Sequence, residues 1–212
     1  MATAEAVIFA SLALQSITAD PCQPWVANNM NIAVPRGRVQ RVREFLISQG
    51  YSEQKKMVGW QWRMSTLSYH QFCHESSGQN IMLSESTTYS VLSVVLSARS
   101  TTSMTAITAR RIWTFYPALT YERQAIAGYR IPNQAEVTKL HDRGFMFSFT
   151  TARWERRCRS ACSAVTRRVR GGRGIQSVEW NTSEDELNLL TDHSFKWRLG
   201  VSCVNPWCPF FG

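Results

Sequence analysis

Residues 36–64 read RGRVQRVREFLISQGYSEQKKMVGWQWRM, and within them the apolar spacing changes from helical to strand-like. Val39, Val42, Phe45 and Leu46 recur at three- and four-residue intervals, with Pro35 just ahead and Gly50 just behind as start and stop signals. This predicts a helix over 36–49. Val58, Trp60, Trp62 and Met64 then alternate with Gly59, Gln61 and Arg63, the period of two expected of a half-buried strand. Downstream, the short runs 80–84 and 90–96, bounded by Ser, Gly and Thr, read as two more strands. In 100–116, Met104, Ile107, Ile112 and Phe115 share one helical face, with Thr101 or Thr102 as cap and Pro117 as stop, so this stretch predicts a helix. Further helices are expected over 119–128 and 133–142, the latter ended by Gly144, followed by a strand through Phe145, Phe147 and Phe149. Beyond residue 174, strands at 175–180 and 194–199 flank a short helix at 184–190. Strands and helices cluster instead of alternating, which favours α+β over a doubly wound sheet. The expected architecture is a single mixed sheet with helices, plus a C-terminal subdomain in which Cys158, Cys162, Cys203 and Cys208 stand as two close pairs, a pattern resembling a zinc knuckle.

Upstream, 6–14 is apolar and has the length of a signal-peptide core, but Glu5 precedes it and the positive flank is missing. It reads as a short packing element, followed over 16–35 by a linker in which Pro21, Pro24 and Pro35 break any long helix. The expected division is an N-terminal segment and linker at 1–34, an α+β core at 35–150, and a basic, cysteine-containing subdomain at 151–212 packed on that core. No run reaches the eighteen or so apolar residues of a membrane span. The compartment expected is intracellular, cytoplasm or nucleus, and the sequon Asn181-Thr182-Ser183 is then without consequence.

The 212 residues carry a formal charge of +9, and its distribution matters more than its total. Between 153 and 173, eight arginines face Glu155 alone, giving +7 locally and leaving +2 for the remaining 191 residues. Arg156, Arg157, Arg159, Arg167, Arg168, Arg170 and Arg173 are therefore candidate contacts for an anion or a nucleic acid, the alternative being a solvated face. The hydrophobic fraction of 44% excludes a disordered chain.

Four of the six cysteines form two close pairs, Cys158-x3-Cys162 and Cys203-x4-Cys208, separated by 40 residues. Two short-spaced pairs returning from distant positions can surround one tetrahedral Zn²⁺, each supplying two sulfurs. Asn205-Pro206 is turn chemistry suited to a knuckle, and Arg156, Arg157 and Arg159 would favour thiolates. Two disulfides or four buried thiols remain the alternatives. A closed four-sulfur site would contribute folding energy and no catalysis. His70, Cys73 and His74 form a second, weaker grouping whose further ligands would have to be Cys22 or His141. Trp207, inside the second knuckle, is expected to shield the sulfurs. No nucleophile elbow, phosphate loop or paired-acid motif is present, and Glu85 stands alone in sequence. Gly171-Gly172-Arg173-Gly174 reads as a turn.

Several stretches together resemble a large family of uncharacterised fungal proteins expanded in mushroom-forming basidiomycetes. They are Val94-Val95-Leu96-Ser97-Ala98, Ser100-Thr101-Thr102-x-Met104, Tyr116-Pro117-x-Leu119-Thr120 and Arg143-Gly144-Phe145. Trp154 with Cys158 and Cys162, Arg167-Arg168, Gly174-Ile175 and Trp180 extend the likeness. It closes on Trp197-x-Leu199-Gly200-x-x-Cys203-x-Asn205-Pro206-x-Cys208-Pro209. The resemblance spans roughly 34–209, implies that the four cysteines act as a unit, and brings no activity with it. A remote likeness to nucleotidyltransferases accompanies it, without the paired acids that would hold Mg²⁺.

Function is thus expected to be that of a non-catalytic, zinc-stabilised interaction or regulatory module with a protein partner. A nucleic-acid binder using 153–173 is the alternative, and a nucleotidyltransferase-like enzyme or degenerate relative is a third.

Overall fold

A computed structural model describes residues 5–19, 24–58, 65–128, 132–168, 174–179 and 195–209. The N-terminal apolar run forms β1 (Val7–Phe9) and α1 (Ser11–Thr18), followed by β2 (Asn29–Val34), α2 (Val39–Ser48), β3 (Tyr51–Val58), β4 (Thr66–His74) and β5 (Asn80–Ser86). Next come α3 (Leu92–Val95), a 3₁₀ turn at Thr101–Ser103, β6 (Thr105–Ile107), β7 (Arg111–Thr114), α4 (Pro117–Tyr121) and β8 (Gln124–Ile126). The remainder is α5 (Gln134–Asp142), β9 (Met146–Ser148), a 3₁₀ turn at Arg159–Ala161, β10 (Arg167–Arg168), β11 (Gln176–Glu179) and β12 (Lys196–Trp197).

Among the described residues one eight-stranded sheet runs β11-β7-β6-β1-β2-β5-β4-β3, parallel only between β2 and β5. β8 and β9 form a parallel pair, and β10 and β12 an antiparallel one. The architecture is therefore α+β, built on a mostly single mixed sheet. The centre of the sheet is covered on both faces. Val7, Phe9 and Ala33 join a cluster with Leu92, Val94, Val95, Phe115 and Tyr116 on one side. Ile32 and Val34 meet Val42 and Leu46 of α2, with Phe72 and Leu83, on the other. Each fully buried aliphatic or aromatic side chain contributes roughly 1.5–3 kcal/mol over its exposed state.

The expected linker at 16–35 is corrected here. Asn29–Val34 is a central strand, paired to β1 by Val7↔Ala33 and Phe9↔Asn31 and to β5 by Ile32↔Leu83. Helix α2 occurs where its periodicity placed it. The strand that follows begins at Tyr51, while most of the expected 58–64 strand lies outside the described residues. β3 is an edge strand carrying Glu53, Lys55 and Lys56, polarity that blunts edge pairing and hides the strand from an apolar count.

Two further expectations change. The expected strand at 90–96 is the short helix α3, held by burial of Leu92, Val94 and Val95 and entered through a hydroxyl-rich turn. There Ser86 Oγ accepts from the Thr88 N–H at 3.0 Å, and Ser90 Oγ from the Leu92 N–H at 3.3 Å. The expected helix at 100–116 is a 3₁₀ turn followed by a hairpin, with Thr105↔Thr114, Ala106↔Trp113 and Ile107↔Ile112 in register. Thr108 Oγ1 accepts from the backbone N–H groups of Arg110 and Arg111, closing the turn between the strands. Pro117 then opens α4 as its first helical residue, and residues 124–126, expected to be helical, form β8. α5 has the full capping box: Asn133 Oδ1 accepts from the Glu136 N–H at 2.9 Å, and Glu136 Oε2 from the Asn133 N–H at 3.0 Å. The expected helix at 184–190 lies outside the described residues.

Candidate metal centre

The two cysteine pairs are shaped by local turns. Cys158 and Cys162 bracket the single 3₁₀ turn Arg159–Ala161, which converts the three-residue spacing into two sulfurs on one side. Arg159 there has φ of 48°, a left-handed conformation uncommon outside glycine. On the second pair, Asn205 opens a β-turn with Pro206 at its first corner: the Cys208 N–H donates to the Asn205 carbonyl at 3.0 Å and the Trp207 N–H to Asn205 Oδ1 at 2.9 Å. The Asn205 amide also ties the two turns together, donating to the Arg156 carbonyl at 2.7 Å and to Cys158 Sγ at 3.1 Å.

Cys158, Cys162, Cys203 and Cys208 are all buried, and their sulfurs lie within 4.8 Å of one another. Cys158 Sγ is 3.7 Å from Cys203 Sγ, and Cys162 Sγ is 3.4 Å from Cys208 Sγ. Tetrahedral metal with sulfur at about 2.3 Å spaces its ligands by about 3.8 Å, whereas a disulfide requires about 2.05 Å. The four thiols are free, and each edge joins one turn to the other, as one enclosed ion requires. They can hold a metal ion. Among the described residues this is the one His, Cys, Asp and Glu cluster of that kind.

The surroundings favour negative sulfur unevenly. Burial pushes the Cys158 thiol up, and pushes Cys162 up to about 11 despite the Ala164 N–H. At Cys203 burial also acts upward, but the Asn205 N–H, the Thr151 hydroxyl at 3.6 Å and the Cys208 and Cys158 thiols outweigh it, lowering that thiol to about 7.

The expectation that Arg156, Arg157 and Arg159 serve the sulfurs is corrected. These three are exposed, and Arg156 pairs with Glu122. The arginine turned inward is Arg167, 2% exposed. Its Nη2 donates to the Ser160 and Cys162 carbonyls at 2.6 and 2.8 Å, and its Nη1 to the Val165 carbonyl and the Tyr116 hydroxyl at 3.1 and 3.2 Å. Among the described residues no carboxylate pairs with it. Burial lowers its pKa from the usual arginine value, with Tyr116 and Cys162 acting oppositely. Arg167 is thus no contact for an outside anion. Arg168 is exposed, while Arg170 and Arg173 lie outside the described residues.

Exposed Arg153, Arg156, Arg157 and Arg159 line a groove of about 800 Å³ with Trp154 and α4. Trp207 is 63% exposed, so it does not shield the sulfurs; Trp154, Ala164 and Val165 pack against them. The centre joins the main core through Trp154, which packs against both; within that core the Trp197 ring meets Phe115 edge-on at 5.4 Å. The second histidine-cysteine grouping is not assembled. On β4, His70 and Cys73 are three residues apart and face opposite sides of the sheet, and His74 turns to the edge of Tyr51; Cys22 lies outside the described residues.

No protein-family model matches this chain, and no curated protein does either. Among the described residues no helix is long and apolar enough to cross a membrane.

Proposed function

We propose that this chain is an intracellular, zinc-stabilised interaction module of the fungal family it resembles, with Cys158, Cys162, Cys203 and Cys208 as thiolate ligands of one structural Zn²⁺. The carrying observation is the closed, buried, four-sulfur cage, whose 3.4 and 3.7 Å edges suit a tetrahedral ion and whose ligand set leaves no position for a substrate. A four-thiolate zinc site has a charge of −2, and buried Arg167 offsets part of it inside the protein. Exposed Trp207 on the second knuckle, with half-exposed Val204 beside it, is an apolar patch for a protein partner. Elemental analysis of purified protein tests the metal: one equivalent of zinc per chain supports it, and a metal-free folded protein contradicts it.

A second reading rests on the groove. Arg153, Arg157 and Arg159 have no carboxylate partner among the described residues, and their placement beside Trp154 suits the phosphates and bases of a single strand. Its affinity for an oligonucleotide should fall steeply with salt; a salt-independent constant would exclude it.

A further inference from the structure

On the α2 side of the sheet, four polar side chains from three strands form one continuous chain of contacts. Glu53 Oε1 meets His70 Nδ1 at 2.6 Å, His70 Nε2 meets Ser68 Oγ at 3.1 Å, and the Ser68 hydroxyl donates to Glu85 Oε2 at 2.7 Å. The Gly37 N–H, just before α2, holds the other Glu85 oxygen at 2.8 Å, and Arg43 of α2 pairs with Glu53. His70 is 1% exposed and Ser68 6%. Burial raises the Glu53 pKa, but the His70 and Arg43 contacts prevail and hold it below the usual carboxylate value.

Two β-bulges build this arrangement. In a regular strand Glu53 and Lys56 would point to opposite faces. A register shift between Glu53 and Lys55 pairs Glu53 with Phe72 and Lys56 with His70, so both fall on the α2 face. A second shift, between Thr66 and Ser68, sets Ser68 opposite Glu85. Bulges re-aim side chains in this way beside active sites. Ser68, His70, Glu85, Arg43 and Lys56 line one pocket of about 240 Å³ against the first half of α2. In the neutral ring, with Nδ1–H donating to Glu53, Nε2 carries the free lone pair. Rotation of the Ser68 hydroxyl from Glu85 to that nitrogen completes a nucleophile, base and orienting carboxylate in the order acyl transfer uses.

We propose that this pocket is an acyl-transfer site for a small carboxylic ester, with Ser68 as nucleophile, His70 as general base and Glu53 as the positioning residue. Ser68 Oγ bonds to the carbonyl carbon while its proton passes to His70 Nε2. The bond to the alcohol oxygen breaks as His70 returns the proton to that oxygen. Water, deprotonated by His70, then releases the carboxylic acid and restores the hydroxyl. From Ser68 to Cys73 the β4 backbone is engaged in ladders on both sides. The Lys56 ammonium, across the β3–β4 pair from His70, supplies positive charge to the oxyanion. This site is independent of the metal reading.

A fluorophosphonate probe tests it, since attack by Ser68 forms a P–O bond and expels fluoride. The expected result is one adduct, mapped to Ser68 and absent from urea-unfolded protein and from Ser68→Ala. His70→Gln and Glu53→Gln, both near-isosteric, should slow labelling by about 100-fold or more. The wild-type rate should titrate with a single ionisation that His70→Gln removes. Glu85→Gln replaces the competing carboxylate with a weaker, neutral acceptor and should raise the rate several-fold. No Ser68 adduct on the folded wild-type protein, or a rate indifferent to His70→Gln and Glu53→Gln, overturns the proposal; so does a Glu85→Gln rate as low as that of His70→Gln.

Discussion

The guanidinium of Arg167 lies over the ring of Tyr116, 4.3 Å from its centroid, and donates to the Tyr116 hydroxyl at 3.2 Å. Through the same fork it holds the Ser160 and Cys162 carbonyls, so one buried cation fastens the first cysteine turn to the main core. Arg167→Leu leaves those acceptors unsatisfied and should cost on the order of 2–4 kcal/mol. Urea denaturation of the metal-loaded protein checks this, and Arg167→Lys, which cannot span the fork, should recover little of it.

Cys158→Ser and Cys203→Ser each remove one ligand. Both variants should lose the metal and become sensitive to protease within 151–168 and 195–209, because metal binding and folding are coupled. Limited proteolysis with mass mapping reads the outcome. Chelation of the wild-type protein should reproduce the same cleavage pattern.

Gly174 has φ of 87°, and a Cβ there would meet Ser160 Cβ at 2.9 Å and the Ser160 carbonyl oxygen at 3.0 Å. Gly174→Ala therefore strains the backbone and pushes on the turn that holds Cys158 and Cys162. A loss of about 1–3 kcal/mol is expected, measurable as a drop in Tm.

Glu53 has a folded pKa below its unfolded value of about 4.5, so the unfolded chain binds more protons and stability rises with pH in that range. Its contribution is fully present above about pH 4.5 and is lost as pH falls through the lower folded pKa. Urea midpoints measured from pH 6 down to pH 3 should fall more steeply for the wild-type protein than for Glu53→Gln. Comparing the two at each pH cancels any shared loss of metal.

α2 and α5 were legible because periodicity, cap and stop agree locally: Val39 to Leu46 between Pro35 and Gly50, and Asn133 with Glu136 ahead of Gly144. The hairpin at 105–114 was not. Met104, Ile107, Ile112 and Phe115 fit a helical face, and only pairing of Ile107 with Ile8 of β1 selects the strand. The linker reading of 16–35 failed for a related reason, since Asn29-Met30-Asn31 becomes a strand only between β1 and β5. The cysteine cluster was visible as two close pairs, but the choice of Arg167 as its buried cation depends on tertiary placement that eight similar arginines conceal. The Glu53, His70, Ser68 and Glu85 chain spans three strands and two bulges, and no spacing in the sequence encodes it. The alternation of Ser68 and His70 on β4 was the one local signal, and it is equally a signal of ordinary strand burial.

Cobalt substitution tests the metal centre most directly. Protein refolded with one equivalent of Co²⁺ should show the intense visible absorption of tetrahedral cobalt and strong sulfur-to-metal charge transfer in the near ultraviolet. Both should be displaced by stoichiometric Zn²⁺ and be absent from Cys158→Ser. A weak octahedral spectrum in folded protein, or intact Cys158–Cys203 and Cys162–Cys208 disulfides by mass spectrometry, would contradict a four-thiolate site.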